Sequence, residues 1–186
     1  MKWIGERISF VDNKDKLTVV IYPPKIGIKY QLLVFWSLLW MAIGAYVTSQ
    51  FFYVTNQKEQ ITLIIFMSFW LYFAVRVGKT LIYLTWGREY IKLDKEGLHV
   101  KIATGKYGKS KRYFLENLQR FDVVELKETS FQAIYESSAW VKGSNRLSFE
   151  YLGKVFTFGR KLNEKDTNIL YKLLLKRIEQ LLRQSK

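Results

Sequence analysis

Two apolar runs, residues 32–54 and 61–86, constrain this chain more than any other feature. The first reads LLVFWSLLWMAIGAYVTSQFFYV and contains no charged residue. A helix rising 1.5 Å per residue needs roughly 20 apolar residues to cross about 30 Å of hydrocarbon, so this run is long enough. The second has an uncharged core, residues 61–75, followed by Arg76, Val77, Gly78 and Lys79 and then a further apolar stretch, residues 80–86. Only the six polar-leaning residues 55–60 lie between the runs, which predicts an antiparallel membrane hairpin. The competing reading is a buried helical pair in a soluble protein. Against it stand the length of the first run and the aromatics Trp36, Trp40, Phe51, Phe52 and Tyr53, several of them near the expected headgroup level.

The hairpin leaves room in the 186 residues for one further domain of about 100 residues. A mean hydropathy of −0.07 conceals the membrane segment, because a basic domain averages it out. The net charge of +14 is distributed unevenly: +3 before the first run, zero in the turn (Lys58, Glu59), and +9 from Thr85 onward, with Arg76 and Lys79 between. Positive charge on both flanks and none in the turn predicts both termini on the cytoplasmic side of an integral membrane protein, with the turn outside. The first thirty residues show no apolar core with a cleavage signature, so no cleavable signal peptide is expected. The chain has no cysteine, which excludes disulfides and thiolate chemistry.

The segment from residue 6 to residue 22 alternates around Asp12-Asn13-Lys14-Asp15, a strand–turn–strand signal. An isolated hairpin is marginal, so it should dock on the C-terminal domain or extend its sheet. Pro23-Pro24 ends the second strand. In the first span, Ser37, Met41, Gly44 and Thr48 share one face and predict the seam with the second helix; an oligomer interface is the alternative. Arg76, Lys79 and Trp86 are expected as interfacial anchors, with a transport or gating role for Arg76 as the competing reading. Short strands follow at 90–93, 98–104, 118–126, 131–140, 146–152 and 155–158, with turns at 94–97, Asn145 and Gly153-Lys154 and a basic loop at 105–112. The last element is an amphipathic helix over 163–183, begun by an Asn163/Asp166 capping pair and striped with Ile169, Leu170, Leu173, Leu174, Ile178, Leu181 and Leu182. The expected divisions are an N-terminal β-hairpin and linker (1–31), a two-helix membrane hairpin (32–86) and a cytoplasmic domain (87–186).

Short antiparallel strands closed by one C-terminal amphipathic helix resemble the pleckstrin-homology-like fold, here an antiparallel sheet or barrel of α+β class. Bacterial two-helix membrane proteins often carry such domains. From Gly87-Arg88-Glu89-Tyr90 through Asp94-Lys95-Glu96-Gly97 to the basic loop and Arg112-Tyr113-Phe114, the chain also resembles the photosystem I assembly protein family, which has two early spans followed by a small soluble domain. That resemblance implies an assembly role at a thylakoid membrane. The bacterial architecture implies the inner (cell) membrane.

Chemistry is sparse. The basic loop places Lys106, Lys109, Lys111 and Arg112 around two glycines but does not match G-x-x-x-x-G-K-[ST]. It reads either as contact with anionic headgroups or as a solvated positive-inside loop. Glu89, Asp94, Glu96, Asp122, Glu125 and Glu128 form no acid–base pair, Ser137, Ser138 and Ser144 lack a nearby base, and His99 is alone. No catalytic residue, metal or cofactor is expected. Aromatics beside basic residues could stack bases, but a domain tethered to a membrane has little access to nucleic acid. Phe131, Tyr135 and Trp140 read as core or as a partner patch. The expected function is therefore a non-catalytic scaffold or assembly factor for a membrane complex. The expected partners are membrane lipids and a membrane protein or a second copy, and the alternative function is an anionic-lipid sensor.

Overall fold

The computed structural model describes residues 1–13, 15–124, 135, 138 and 140–184. Three strands, β1 (Lys2–Ile4), β2 (Ile8–Asp12) and β3 (Lys16–Ile21), precede two long helices, α1 (Ile28–Gln50) and α2 (Gln57–Trp86). Strands β4 (Gly87–Asp94), β5 (Gly97–Thr104) and β6 (Ser110–Tyr113) follow. After a 3-10 turn at Leu115–Asn117 come β7 (Leu118–Val123), β8 (Asn145–Tyr151), β9 (Lys154–Arg160) and the helix α3 (Glu164–Gln184).

All described pairings are antiparallel, in a six-stranded sheet ordered β1-β2-β3-β4-β5-β6 and a three-stranded sheet ordered β7-β8-β9. The sheets remain separate, so the closed barrel form of the expected fold is not what forms. Ile8, Leu17, Ile91 and Leu98 on the large sheet face Leu147, Phe149 and Phe158 on the small one, and Leu170 and Leu174 of α3 complete the core. Tyr113 bridges the sheets edge-on to Phe149 at 4.9 Å. The capping pair forms as the spacing predicts: the Asp166 backbone N–H donates to Asn163 Oδ1, and Asn163 Nδ2 donates to Asp166 Oδ2.

The N-terminal strands extend the sheet. β3 pairs with β4 in a register that places Ile21 opposite Glu89, so α1 and α2 are together an insertion in the connection between two neighbouring strands. Both helices consequently enter and leave at one end of the sheet, and the β domain lies at one end of the helix pair. Tyr30 near the start of α1 reaches Thr85 near the end of α2, hydroxyl to hydroxyl at 2.9 Å. α1 and α2 are long and apolar enough to cross a membrane.

The seam between them is partly the expected one. Gly44 is buried, and a Cβ there would lie 2.2 Å from the Trp70 ring, so only glycine admits that indole. Thr48 Oγ1 reaches Met67 Sδ at 4.0 Å. Met41 instead points outward, 54% exposed, and the contact passes through Trp40. Each of Trp40 and Trp70 donates its indole N–H to the other's backbone carbonyl, at 3.3 and 2.8 Å. A carbonyl's second lone pair permits this without loss of the helical bond, and in hydrocarbon an indole N–H needs a partner.

α2 runs unbroken through Gly78 to Trp86, where the apolar run ends, and Val77, Thr80 and Tyr83 in its last turns are buried. One other boundary differs from the sequence reading. The basic stretch is not all loop, because residues 110–113 form β6 at the sheet edge.

Candidate functional site

The junction between the helix pair and the β domain concentrates the unusual polar chemistry. Glu89, three residues past the end of α2 on β4, is 2% exposed. Its carboxylate accepts the backbone N–H groups of Gly159 (2.7 Å) and Arg160 (3.1 Å). Arg7, in the turn between β1 and β2, donates to the carbonyls of Tyr22 (3.0 Å), Arg160 (2.9 Å) and Lys161. Burial pulls the Arg7 guanidinium below its ordinary value, with Tyr83, Glu89 and Asp166 opposing the shift, and a guanidinium stays charged through such a change. The β9–α3 junction is thus gripped from both sides of the helical insertion. Lys161 passes the grip on, its ammonium donating to the carbonyls of Ser138 (2.6 Å) and Val141 (2.9 Å).

That second contact sets the segment carrying Trp140 against the helices. Trp140 stands edge-on to Trp36 of α1 at 4.6 Å, and its carbonyl accepts Thr80 Oγ1 of α2 at 3.2 Å. Tyr135 lies under the Arg76 guanidinium at 5.3 Å. Two of the three aromatics expected as core or partner patch are therefore engaged with the helix pair, while each keeps 41% exposure. The third, Phe131, lies outside the described residues, as do Glu125, Glu128 and Ser137.

Between these contacts opens a cavity of about 470 Å³ lined by Arg76, Lys79, Thr80, Tyr135, Val141, Lys142, Gly143 and Ser144. Arg76, Lys79 and Thr80 share one face of α2 through their i, i+3, i+4 spacing. Lys142 reaches in from the opposite wall, its ammonium 5.6 Å from the Tyr83 ring centre. Burial pulls the Lys142 ammonium below its ordinary value, Arg160 and Lys79 add to the shift by like-charge repulsion, and Glu89 opposes it. Among the described residues, no carboxylate lines it. Arg76 directs one donor to the Tyr72 hydroxyl. Among the described residues, none of these three cations is in an ion pair.

The expected anchors occupy two levels. Glu59 and Arg76 bracket an uncharged stretch of about 26 Å at the helical rise, near the thickness of a hydrocarbon core. Trp86, 57% exposed, lies a further ~15 Å along the same helix, beside the domain.

The basic stretch divides in the same way. The Gly105 N–H bonds the Trp86 carbonyl at 2.9 Å, so the turn carrying Lys106 and Lys109, with Tyr107 85% exposed, adjoins the helix exit. Lys111 pairs opposite Val100 and Arg112 opposite His99, which puts Arg112 about 17 Å up the strand from Thr104. Arg112 sits over the Phe114 ring at 4.6 Å and reaches Glu96 at 3.4 Å. The four residues therefore do not form one patch.

At the far end of the sheet, Asp94, Glu96 and His99 bring their ligand atoms within 4.8 Å of one another. Lys92 already pairs with Asp94 at 2.6 Å and Arg112 with Glu96, so a cation would have to displace both.

No protein-family model, curated protein or solved structure matches this chain.

The sequence reading missed Arg7, Lys142 and Lys161. Each acts across a large sequence separation, and short-range spacing carries no trace of such contacts.

Proposed function

We propose that this chain is a non-catalytic integral membrane protein of the bacterial inner membrane that holds a pleckstrin-homology-like domain at the cytoplasmic face as a scaffold or assembly factor for a membrane protein complex. One observation carries the reading. The apolar helix pair is inserted between two hydrogen-bonded neighbours of one sheet, and buried Glu89 and half-buried Arg7 clamp both sides of the insertion. A domain mounted in this way has a fixed height and orientation, which suits presenting a surface rather than reaching for a substrate. The sheet end farthest from the helices offers Phe114, Leu152 and Val155, exposed at 47, 70 and 70%, as an apolar tip for a protein partner. For a chain resembling photosystem I assembly proteins, the corresponding client would be a thylakoid complex.

Photo-crosslinking residues introduced at positions 152 and 155 in native membranes test the reading. A discrete adduct with another membrane protein is expected. Recovery of the uncrosslinked chain alone, at both positions, overturns it. Orientation is tested separately, because a chain without cysteine gives clean single-cysteine labelling. A membrane-impermeant maleimide added to intact cells should label Lys58→Cys and spare Lys154→Cys; the reverse pattern inverts the topology.

A second reading, binding of anionic lipid by the basic turn, is favoured by the placement of Lys106, Lys109 and exposed Tyr107 beside the helix exit. Neutralising both lysines should weaken association with anionic vesicles.

A further inference from the structure

We propose that the cavity between the C-terminal third of α2 and residues 140–144 is a binding site for a phosphate group, supplied either by the headgroup of an anionic phospholipid or by free phosphate. The composition of its lining is the first ground. Arg76, Lys79 and Lys142 line one concave space with the hydroxyl-bearing Thr80 and Ser144 in its wall and no carboxylate among the described lining residues. Like charges brought together on two separate elements repel, and a bound anion removes that cost while accepting several charge-assisted hydrogen bonds. Arg76 has donors to spare beyond its bond to Tyr72, since a guanidinium carries five N–H groups.

Construction is the second ground. Lys142 does not hang from a free loop. The Val141 carbonyl beside it is held by the Lys161 ammonium, and a Cβ on Gly143 would run into the Lys161 side chain. Trp140, on the other side of Val141, is locked against Trp36 and Thr80. The wall facing Arg76 and Lys79 is thus positioned before any ligand arrives. At about 470 Å³, the space falls within the range of about 300–1,000 Å³ usual for small-molecule sites.

Height is the third ground, and it bears on the source of the phosphate. Arg76 is the first charge on α2 after Glu59, some 26 Å along the helix, where the phosphates of one leaflet would lie if α1 and α2 span the bilayer. The lipid source rests on that reading of the helices; the free-phosphate source does not. The site is distinct from the basic turn at Lys106 and Lys109, which adjoins Trp86 about 15 Å farther along α2.

The experiment uses the full chain in nanodiscs. In discs of phosphatidylcholine with one-fifth phosphatidylglycerol, native mass spectrometry after detergent release counts retained phosphatidylglycerol. In pure phosphatidylcholine discs, line broadening in phosphorus NMR reports on added inorganic phosphate. The variants are the pair Lys79→Gln with Lys142→Gln and, as control, the pair Lys95→Gln with Lys154→Gln, exposed lysines at the sheet end farthest from the helices. Both cavity lysines are exposed at the residue level, and matched unfolding midpoints check that the variants fold. Retention of phosphatidylglycerol that falls at least about tenfold in the cavity pair but not in the control pair, without phosphate broadening, assigns a lipid headgroup. Broadening lost only in the cavity pair assigns free phosphate, and this result stands even if the chain does not cross the membrane. Absence of both signals in the parent protein, or signals that the cavity pair leaves unchanged, overturns the proposal.

Discussion

At the scale of single residues, the critical contacts join segments far apart in sequence. Glu89 is buried against two backbone N–H groups about 70 residues away, and no other side chain takes its place there. Glu89→Gln keeps the shape but sets an amide NH2 where an acceptor is needed. A hydrogen bond to a charged group is worth about 1.5–3 kcal/mol, so a loss of about 3 kcal/mol is expected. For a chain of this size that lowers the unfolding midpoint by roughly 6–12 °C, measured in mild detergent. Asp94 behaves differently. Its partial burial would raise the carboxyl, but the Lys92 ammonium, the Glu96 N–H and His99 outweigh this and hold it below its ordinary value. A carboxyl depressed in the folded state stabilises the fold above its unfolded value, near pH 4, and loses that contribution as pH falls through the folded value. Because its partner Lys92 is half-exposed and screened by water, the gain is small. Lys92→Met should move the Asp94 titration upward, read by NMR, and leave stability at neutral pH almost unchanged. In the sequence, Glu89 and Asp94 look alike, two carboxylates on one strand. What separates them is the β9–α3 connector lying over one end of that strand, and nothing near either residue encodes it.

At the scale of elements, legibility followed length and period. The two apolar runs and the stripe of α3 repeat over many residues and declare themselves, whereas β1 is three residues, Lys2-Trp3-Ile4, too short to show alternation. β6 was hidden for another reason: Lys111 and Arg112 read as solvated loop, yet an edge strand tolerates charge because one side of it faces water. α2 runs through Gly78 as its last turns bury Val77, Thr80 and Tyr83 against the domain. Packing overrides the propensity cost of one glycine, about 1 kcal/mol. Of the candidate cavity, the α2 half was visible as two charges interrupting an apolar run, while the Lys142 half was not. The helix seam gives the clearest element-scale test. Gly44→Ala already sets a methyl group against the Trp70 ring, and Gly44→Val should part α1 from α2. A cysteine pair placed across the seam should then lose its disulfide yield, and the unfolding midpoint should fall. Met41→Val, one turn away on the outward face, should change neither measurement.

At the scale of the whole molecule, the chain order misleads, because the sheet is built from both sides of the helical insertion. β4 has β3 on one side and β5 on the other, so a chain beginning at Gly87 would bare the β4 edge and strip the Leu17, Val19 and Ile21 face from the core. It would also lose Arg7, which donates to the carbonyls of Arg160 and Lys161 at the β9–α3 junction and to that of Tyr22. Residues 87–186 alone should therefore be insoluble or expanded. The register offers the converse. With Ile21 opposite Glu89, Tyr22 faces Arg88, and a two-residue Asn-Gly link between them is the length a tight antiparallel hairpin accepts. A chain of residues 1–22, Asn-Gly and residues 88–186 lacks both apolar helices but keeps every sheet pairing except the Gly87–Thr104 pair at the end of β4. It should be soluble without detergent, show cooperative thermal unfolding by circular dichroism, and keep slow-exchanging amides on β3 and β4. The β domain would then be a self-sufficient fold that carries its apolar helix pair as an inserted loop. A molten or aggregated product would mean instead that Val77, Thr80 and Tyr83 of α2 belong to the core the domain needs.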